Sequence, residues 1–336
     1  MLRDCPEPGH DRRVRAIQIT ETGGPEVLTV AELPDPKPGP GELLIEVAVA
    51  GVNYIDTYQR QGIYPIPLPF VLGMEGCGRV RELGEGVDEF AIGDRVAWPE
   101  PLGSYAELAV VPAEGVAPVP DGVADDDAVG AMLQGTTAHF LVHDTYPVQA
   151  GDDVLVHAAA GGVGLLLTQM ATALGARVIA TVSTAEKGAL ARAAGAADVI
   201  RYTEVDDLAA EVRALTGGVG VAAAFDGVGK TTFDASLASL RRRGMLVLFG
   251  ASSGPVPPVD PQRLNAAGSV FLTRPKLYDH IVTREELTTR AAAVYAEVAA
   301  GRLDVRIGHR YPLAEARVAH EDLQSRRTTG KLLLIL

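Results

Sequence analysis

The strongest constraint in this chain is the short run Ala159-Ala160-Gly161-Gly162-Val163-Gly164, which follows the apolar stretch 154–158 and opens a helical pattern that closes near Gly175. Its form is A-x-G-x-x-G. A small residue at 159 permits a tight turn, Gly161 lets a pyrophosphate approach the main chain, and Gly164 lets the helix pack close to the strand. The start of the helix then offers unpaired N–H groups and a partial positive charge to phosphate. As a bare pattern the run also fits an ordinary glycine turn. Its setting between strand and helix predicts a dinucleotide site at Gly161, Gly162, Val163 and Gly164.

Around that turn the chain alternates apolar strands with amphipathic helices: DVLVHAAA, GVGLLLTQMATALG, ARVIATV, TAEKGALARAAGA, DVIRY, and on to GMLVLFG and GSVFLTR. Such alternation builds βαβ units and a doubly wound parallel sheet, an α/β architecture. The region before it has another rhythm. From Val14 to about Val119, short β-like runs such as ELLIEVAVAGV and GCGRVREL are broken by Pro and Gly clusters, predicting a small, mostly antiparallel, barrel-like domain. A helix over 284–301 and the strand KLLLIL come after the parallel sheet and are expected to return to this first domain. The predicted division is 1–135 with 274–336 for the antiparallel domain and 136–273 for the nucleotide-binding domain. A ligand cleft is expected between them, at the strand ends.

Composition narrows the partners. With 30 Lys+Arg against 43 Asp+Glu the net charge is −13, the wrong sign for a nucleic-acid or anionic-membrane surface, which needs clustered cations. Arg241-Arg242-Arg243 reads as the solvated end of a helix, favoured there by the dipole. Two cysteines, Cys5 and Cys77, build neither a disulfide framework nor a four-thiolate zinc site, which points to an intracellular chain. No run approaches the roughly 18 apolar residues of a membrane span, so the expected location is the cytoplasm. Residues 1–12 are expected to form a loose extension.

The second strand bears on the choice of nucleotide. NAD sites carry a carboxylate about 20 residues beyond the turn to hold the ribose 2′-hydroxyl. Here the strand tip reads Val182-Ser183-Thr184, with no carboxylate before Glu186, and Lys187 follows as a candidate phosphate cation. The absence of a repelling charge favours NADPH over NADH.

The runs HAAAGGVGLLLTQMA, GVNYIDTYQRQGIYP, VLGMEGCGRV, GDRV, FDGVG, LTRPKL and SRRTTGK resemble the zinc-independent quinone oxidoreductases of the medium-chain dehydrogenase/reductase superfamily, from about Arg15 to the C-terminus. This resemblance implies a GroES-like domain beside a Rossmann domain, and a homodimer. It places Asn53, Tyr58 and Tyr64 at the catalytic end of the cleft, with Asn53 also touching the cofactor. Thr137, Tyr202, Phe249, Gly250 and Ser252 are placed along the nucleotide, and Arg326 at the 2′-phosphate beside Ser183, Thr184 and Lys187. Where zinc enzymes of the superfamily carry a Cys and a His as ligands, this chain has Asn53 and Met74, and no Cys falls around 133–135, so no metal is expected. Two departures stand out: Gln134 where some relatives have Lys, and Gly227 where a hydroxyl residue is common. A cleft without a Lewis acid suits an acceptor that is already electrophilic, a quinone or conjugated enone. The expected function is NADPH-dependent quinone reduction. The alternatives are an enoyl or alkenal reductase and a nucleotide-binding structural or RNA-binding protein. The apolar run 268–273 would leave an exposed sheet edge unless a second copy covers it.

Overall fold

Apolar segments that bury both faces belong inside a parallel sheet, and Val221–Asp226, buried at every position, is the clearest case. In a computed structural model of the chain, which describes residues 13–336, six parallel strands form that sheet. They are Asp153–Val156, Arg177–Val182, Asp198–Arg201, Val221–Asp226, Leu240–Leu248 and Phe271–Thr273. In space they run third, second, first, fourth, fifth, sixth. The order reverses between the first and fourth strands, and the glycine turn leaves the first strand at that switch point, where doubly wound sheets hold ligands. Cys5 and the expected extension 1–12 lie outside the described residues.

The remaining strands form a second sheet, in the order Ile307–Pro312, Lys331–Ile335, Glu42–Val52, Glu75–Leu83, Arg95–Trp98, Ala117–Pro118, with Leu108–Pro112 also on Glu42–Val52. A small three-stranded sheet contains Arg13–Ile19. Pairing is antiparallel except between Ile307–Pro312 and Lys331–Ile335. The last strand thus returns as expected, with Leu332 opposite Val52. The helix Arg284–Ala299 starts on a Thr283/Glu286 capping box and is followed by Gly301 at φ 67°, a left-handed position suited to glycine. The Tyr295 hydroxyl donates to the Ala128 carbonyl at 3.2 Å, tying that helix to Asp125–Phe140.

Asp125–Phe140 is continuous through 135–136, the point of the expected division. It carries part of a single apolar cluster that runs from Val49 and Cys77 through Met132 and Leu141 to Val154 and Phe225, so the two sheets share one core. Arg241-Arg242-Arg243 corrects the sequence reading. The helix Phe233–Ser239 stops short of them, and the three arginines lie in the strand Leu240–Leu248. The reason is Leu240: it is buried and pairs with Val221, which pulls the chain into extended form before the arginines are reached.

Candidate active site

The glycine turn has the geometry its composition requires. Ala158 sits at φ 50°, and Gly161 takes an extended N-cap conformation before the helix Gly162–Ala173. A Cβ on Gly164 would stand 2.3 Å from the Ala158 carbonyl oxygen, so only glycine lets helix and strand approach this closely. No side chain caps the helix, and its first turn holds no acidic residue. Its unpaired N–H groups are therefore left for an anion. The Gly330 N–H donates to the Ala160 carbonyl at 3.0 Å, which moors the returning C-terminal segment to the turn.

That same segment delivers Arg326 to the end of the second strand. There Lys187 Nζ donates to the Arg326 carbonyl, and the Lys187 ammonium is held below its ordinary pKa by burial and by the neighbouring Arg326 guanidinium. Two cations so close call for an anion between them. Ser183, Lys187, Tyr202 and Arg326 line the cleft. Thr184 does not: its hydroxyl caps the helix Ala185–Ala193, accepting from the Lys187 N–H at 3.3 Å.

The opposite end is built on the short helix Tyr54–Arg60, capped by Asn53. Asp56 closes the capping box, accepting from the Asn53 N–H at 2.7 Å and the Tyr105 hydroxyl at 2.9 Å. Complete burial nevertheless pushes its carboxyl up to about 7. The Asn53 side chain is engaged on both sides. Its Oδ1 accepts from Lys331 Nζ at 2.9 Å and Gln134 Nε2 at 3.1 Å, and its Nδ2 donates to Glu75 Oε2 at 2.9 Å. Glu75 and Lys331 form an ion pair with exposures of 0% and 1%. Sequence reading missed this network, although a lysine opening the apolar strand KLLLI must find a partner somewhere.

Tyr58 and Tyr64 meet edge to face, with ring centroids 5.8 Å apart. Burial pushes the Tyr58 hydroxyl up to about 12, while Tyr64 is 44% exposed at the mouth. Asn53, Thr137, Phe249, Gly250, Ser252 and the turn residues 161–164 all line the same cleft, of about 1410 Å³. Gly227 has a packing reason, since a Cβ there would come 2.9 Å from the Phe249 ring. A second network also escaped the sequence reading: buried His157 bonds Thr181 and Ser236, each at 2.9 Å, and Ser236 donates to Asp226.

The positions matching superfamily zinc ligands do not fit a metal ion. An ammonium already sits on Asn53 Oδ1, and Met74 Sδ accepts from Gln59 Nε2 at 3.0 Å. Among the described residues there is no group of three or more His, Cys, Asp or Glu arranged to hold a metal.

An uncapped helix at a sheet's switch point, paired cations beyond the second strand and a partly apolar cleft between two sheets define a dinucleotide-dependent oxidoreductase of the medium-chain type. Comparison with known proteins agrees with that class: residues 39–121 match the alcohol dehydrogenase GroES-like domain and 162–295 the zinc-binding dehydrogenase domain. The quinone oxidoreductase of Salmonella typhimurium is 44% identical over 95% of this chain and 98% of its own. A mycobacterial protein solved with NADPH superposes with a TM-score of 0.94 at 55% identity, covering 96% of this chain and all of its own. Escherichia coli quinone oxidoreductase, also solved with NADPH, gives 0.93 at 42% identity, with 96% of this chain and 100% of its own covered. The chain belongs to the quinone oxidoreductase family of the medium-chain dehydrogenase/reductase superfamily.

Proposed function

We propose that this protein is an NADPH-dependent quinone reductase that works without a metal. The observation that carries the reading is the convergence of Lys187 and Arg326 beside Ser183, with the uncapped turn 161–164 at one side and the tyrosine-lined cleft at the other. When bound, NADPH supplies a hydride; the chain's part is to hold, orient and shield. The turn receives the pyrophosphate, Lys187 and Arg326 the 2′-phosphate, and Tyr202 flanks the base. Thr137, Val163, Phe249, Gly250 and Ser252 line the middle of the cleft. Tyr58 and Tyr64 present aromatic faces and hydroxyls to a flat acceptor. The saturated Asn53 amide fixes the floor on which the acceptor rests, in place of a free hydrogen bond to it.

The chain divides, in this reading, into 1–135 with 274–336 and 136–273, hinged along the helix Asp125–Phe140. It acts in the cytoplasm as a homodimer joined at the outer strand Phe271–Thr273, whose Phe271 is 51% exposed. Among the described residues no helix is long and apolar enough to cross a membrane.

The test is oxidation of NADPH by 1,4-benzoquinone and 9,10-phenanthrenequinone, beside NADH, a crotonyl thioester and an RNA gel-shift. Quinone turnover with a strong NADPH preference is expected. Turnover confined to the thioester would move the assignment to an enoyl reductase. Nucleotide binding with no acceptor turned over would make the protein a binding protein.

A further inference from the structure

A carboxyl group lines the acceptor end of the cleft. Glu100 follows the buried Trp98 at the end of the strand Arg95–Trp98, and its side chain has no hydrogen-bond or ion-pair partner among the described residues. Gly76 stands opposite Trp98 and Gly51 opposite Glu75, so the chain enters Pro99-Glu100 from the strand end that also leads to Met74 and Asn53. Val52, Asn53, Met74 and Glu100 all line the cleft. The chain beyond Glu100 is tied to the same edge, since the N–H groups of Gly103 and Ser104 donate to the Gly73 carbonyl at 2.9 and 3.1 Å. Pro99 and Pro101 restrict the backbone on either side.

The other acids near this end are unsuited to meet a substrate. Asp56 is fully buried behind the helix Tyr54–Arg60, and Glu75 is locked to Lys331. His157 is bonded at both ring nitrogens. Asp206, Asp207 and Asp234 line the cleft from the nucleotide-binding sheet's side.

We propose that Glu100, in its acid form, is the proton donor to the reduced acceptor. This rests on the quinone-reductase reading. As hydride arrives from the nicotinamide, the quinone gains two electrons and negative charge grows on an oxygen. The Glu100 O–H bond breaks as an O–H bond forms at that oxygen, and water reprotonates the carboxylate once the quinol leaves. Burial supplies the acid form, holding the carboxyl up to about 8 against the opposing pull of Lys276. Lys276 is the charged group that acts on it, and Arg274, Tyr58, Tyr64 and Tyr278 are further ionisable groups in the same cleft lining.

The experiment compares wild type with Glu100→Gln, whose NADPH affinity and Tm are measured first to show that it is folded. With 1,4-benzoquinone, kcat/KM is expected to fall about a hundredfold or more, the range of a lost general acid. With tetrachloro-1,4-benzoquinone, whose quinol is far more acidic and needs no donor, the fall is expected to stay under about threefold. The decline of wild-type activity as pH rises through about 8 should vanish in the variant. Independently of turnover, infrared difference titration of wild type minus variant should show a protonated carboxyl band at pH 7 that disappears as pH rises through about 8. Equal losses with both quinones, a pH limb that persists in Glu100→Gln, or no acid band at neutral pH would each overturn the donor role. No quinone turnover by the wild type would overturn the functional reading together with it.

Discussion

At the scale of single residues, position decides what chemistry a side chain has left to offer. The Asn53 amide suits a substrate contact by type, yet Lys331, Gln134 and Glu75 engage both its ends, leaving it the role of a fixed floor. Lys187 and Arg326 are the reverse case, two cations brought together without an acid between them. Each charge-assisted contact contributes about 1.5 to 3 kcal/mol. Lys187→Ala or Arg326→Ala should therefore weaken NADPH about tenfold to a hundredfold while leaving NADH nearly unchanged, as read by titration calorimetry. Asp56 gives a prediction in pH. Its carboxyl ionises near 3.8 when unfolded and at about 7 when folded. Between those values the native state keeps a proton that the unfolded state has released, so this group's contribution to stability falls as pH rises and is fully unfavourable above about 7. Buried His157 and His320, held below their ordinary range, act in the opposite sense at acid pH. The readout is therefore a difference: the stability of Asp56→Asn relative to wild type, in urea, should rise by roughly 2 to 4 kcal/mol from pH 4 to pH 8.

At the scale of elements, the turn and its helix act as one piece. Gly164→Ala sets a methyl against backbone, where no flexible side chain can yield, so the helix must shift. A Tm loss corresponding to about 1 to 3 kcal/mol is expected, with NADPH affinity down at least tenfold, as measured by thermal unfolding and calorimetry. The last strand has a second task through Lys331. Lys331→Met would strand the Glu75 carboxylate in the core at a cost of about 3 to 5 kcal/mol, whereas Lys331→Met with Glu75→Gln should recover much of it. Chemical denaturation of the two variants measures the difference. The resemblance placed Asn53 and Tyr58 at the site, but the helix Tyr54–Arg60 that carries Tyr58, its capping by Asn53 and Asp56 and its anchoring through Tyr105 come from the fold.

At the scale of the whole molecule, one apolar cluster joins both sheets through Asp125–Phe140, and the returning segment touches the glycine turn at Gly330. The cleft is thus framed by two sheets that share buried apolar contacts, and coupled unfolding is expected, with fluorescence and circular dichroism transitions in denaturant coinciding. The outer strand Phe271–Thr273 ends the parallel sheet with an unpaired edge in the single chain. Phe271→Lys should turn the proposed dimer into a monomer at micromolar concentration by light scattering.

What depends on neighbours along the chain could be read before any fold was known. The alternation of strand and helix, the glycine turn, the carboxylate-free tip at Ser183 and the strand character of KLLLIL were all readable, because backbone conformation and periodicity are local properties. Tertiary structure alone decided what depends on meetings across the fold. Lys331 finds Asn53 from 278 residues away, and Glu75 from 256. Glu100 lines the cleft together with Met74 and Asn53, residues that come from the ends of other strands. Arg241 to Arg243 follow a buried Leu240 into a strand, against their helical look. Partners of this kind are chosen by burial and register, and neither quantity exists until the chain has closed on itself.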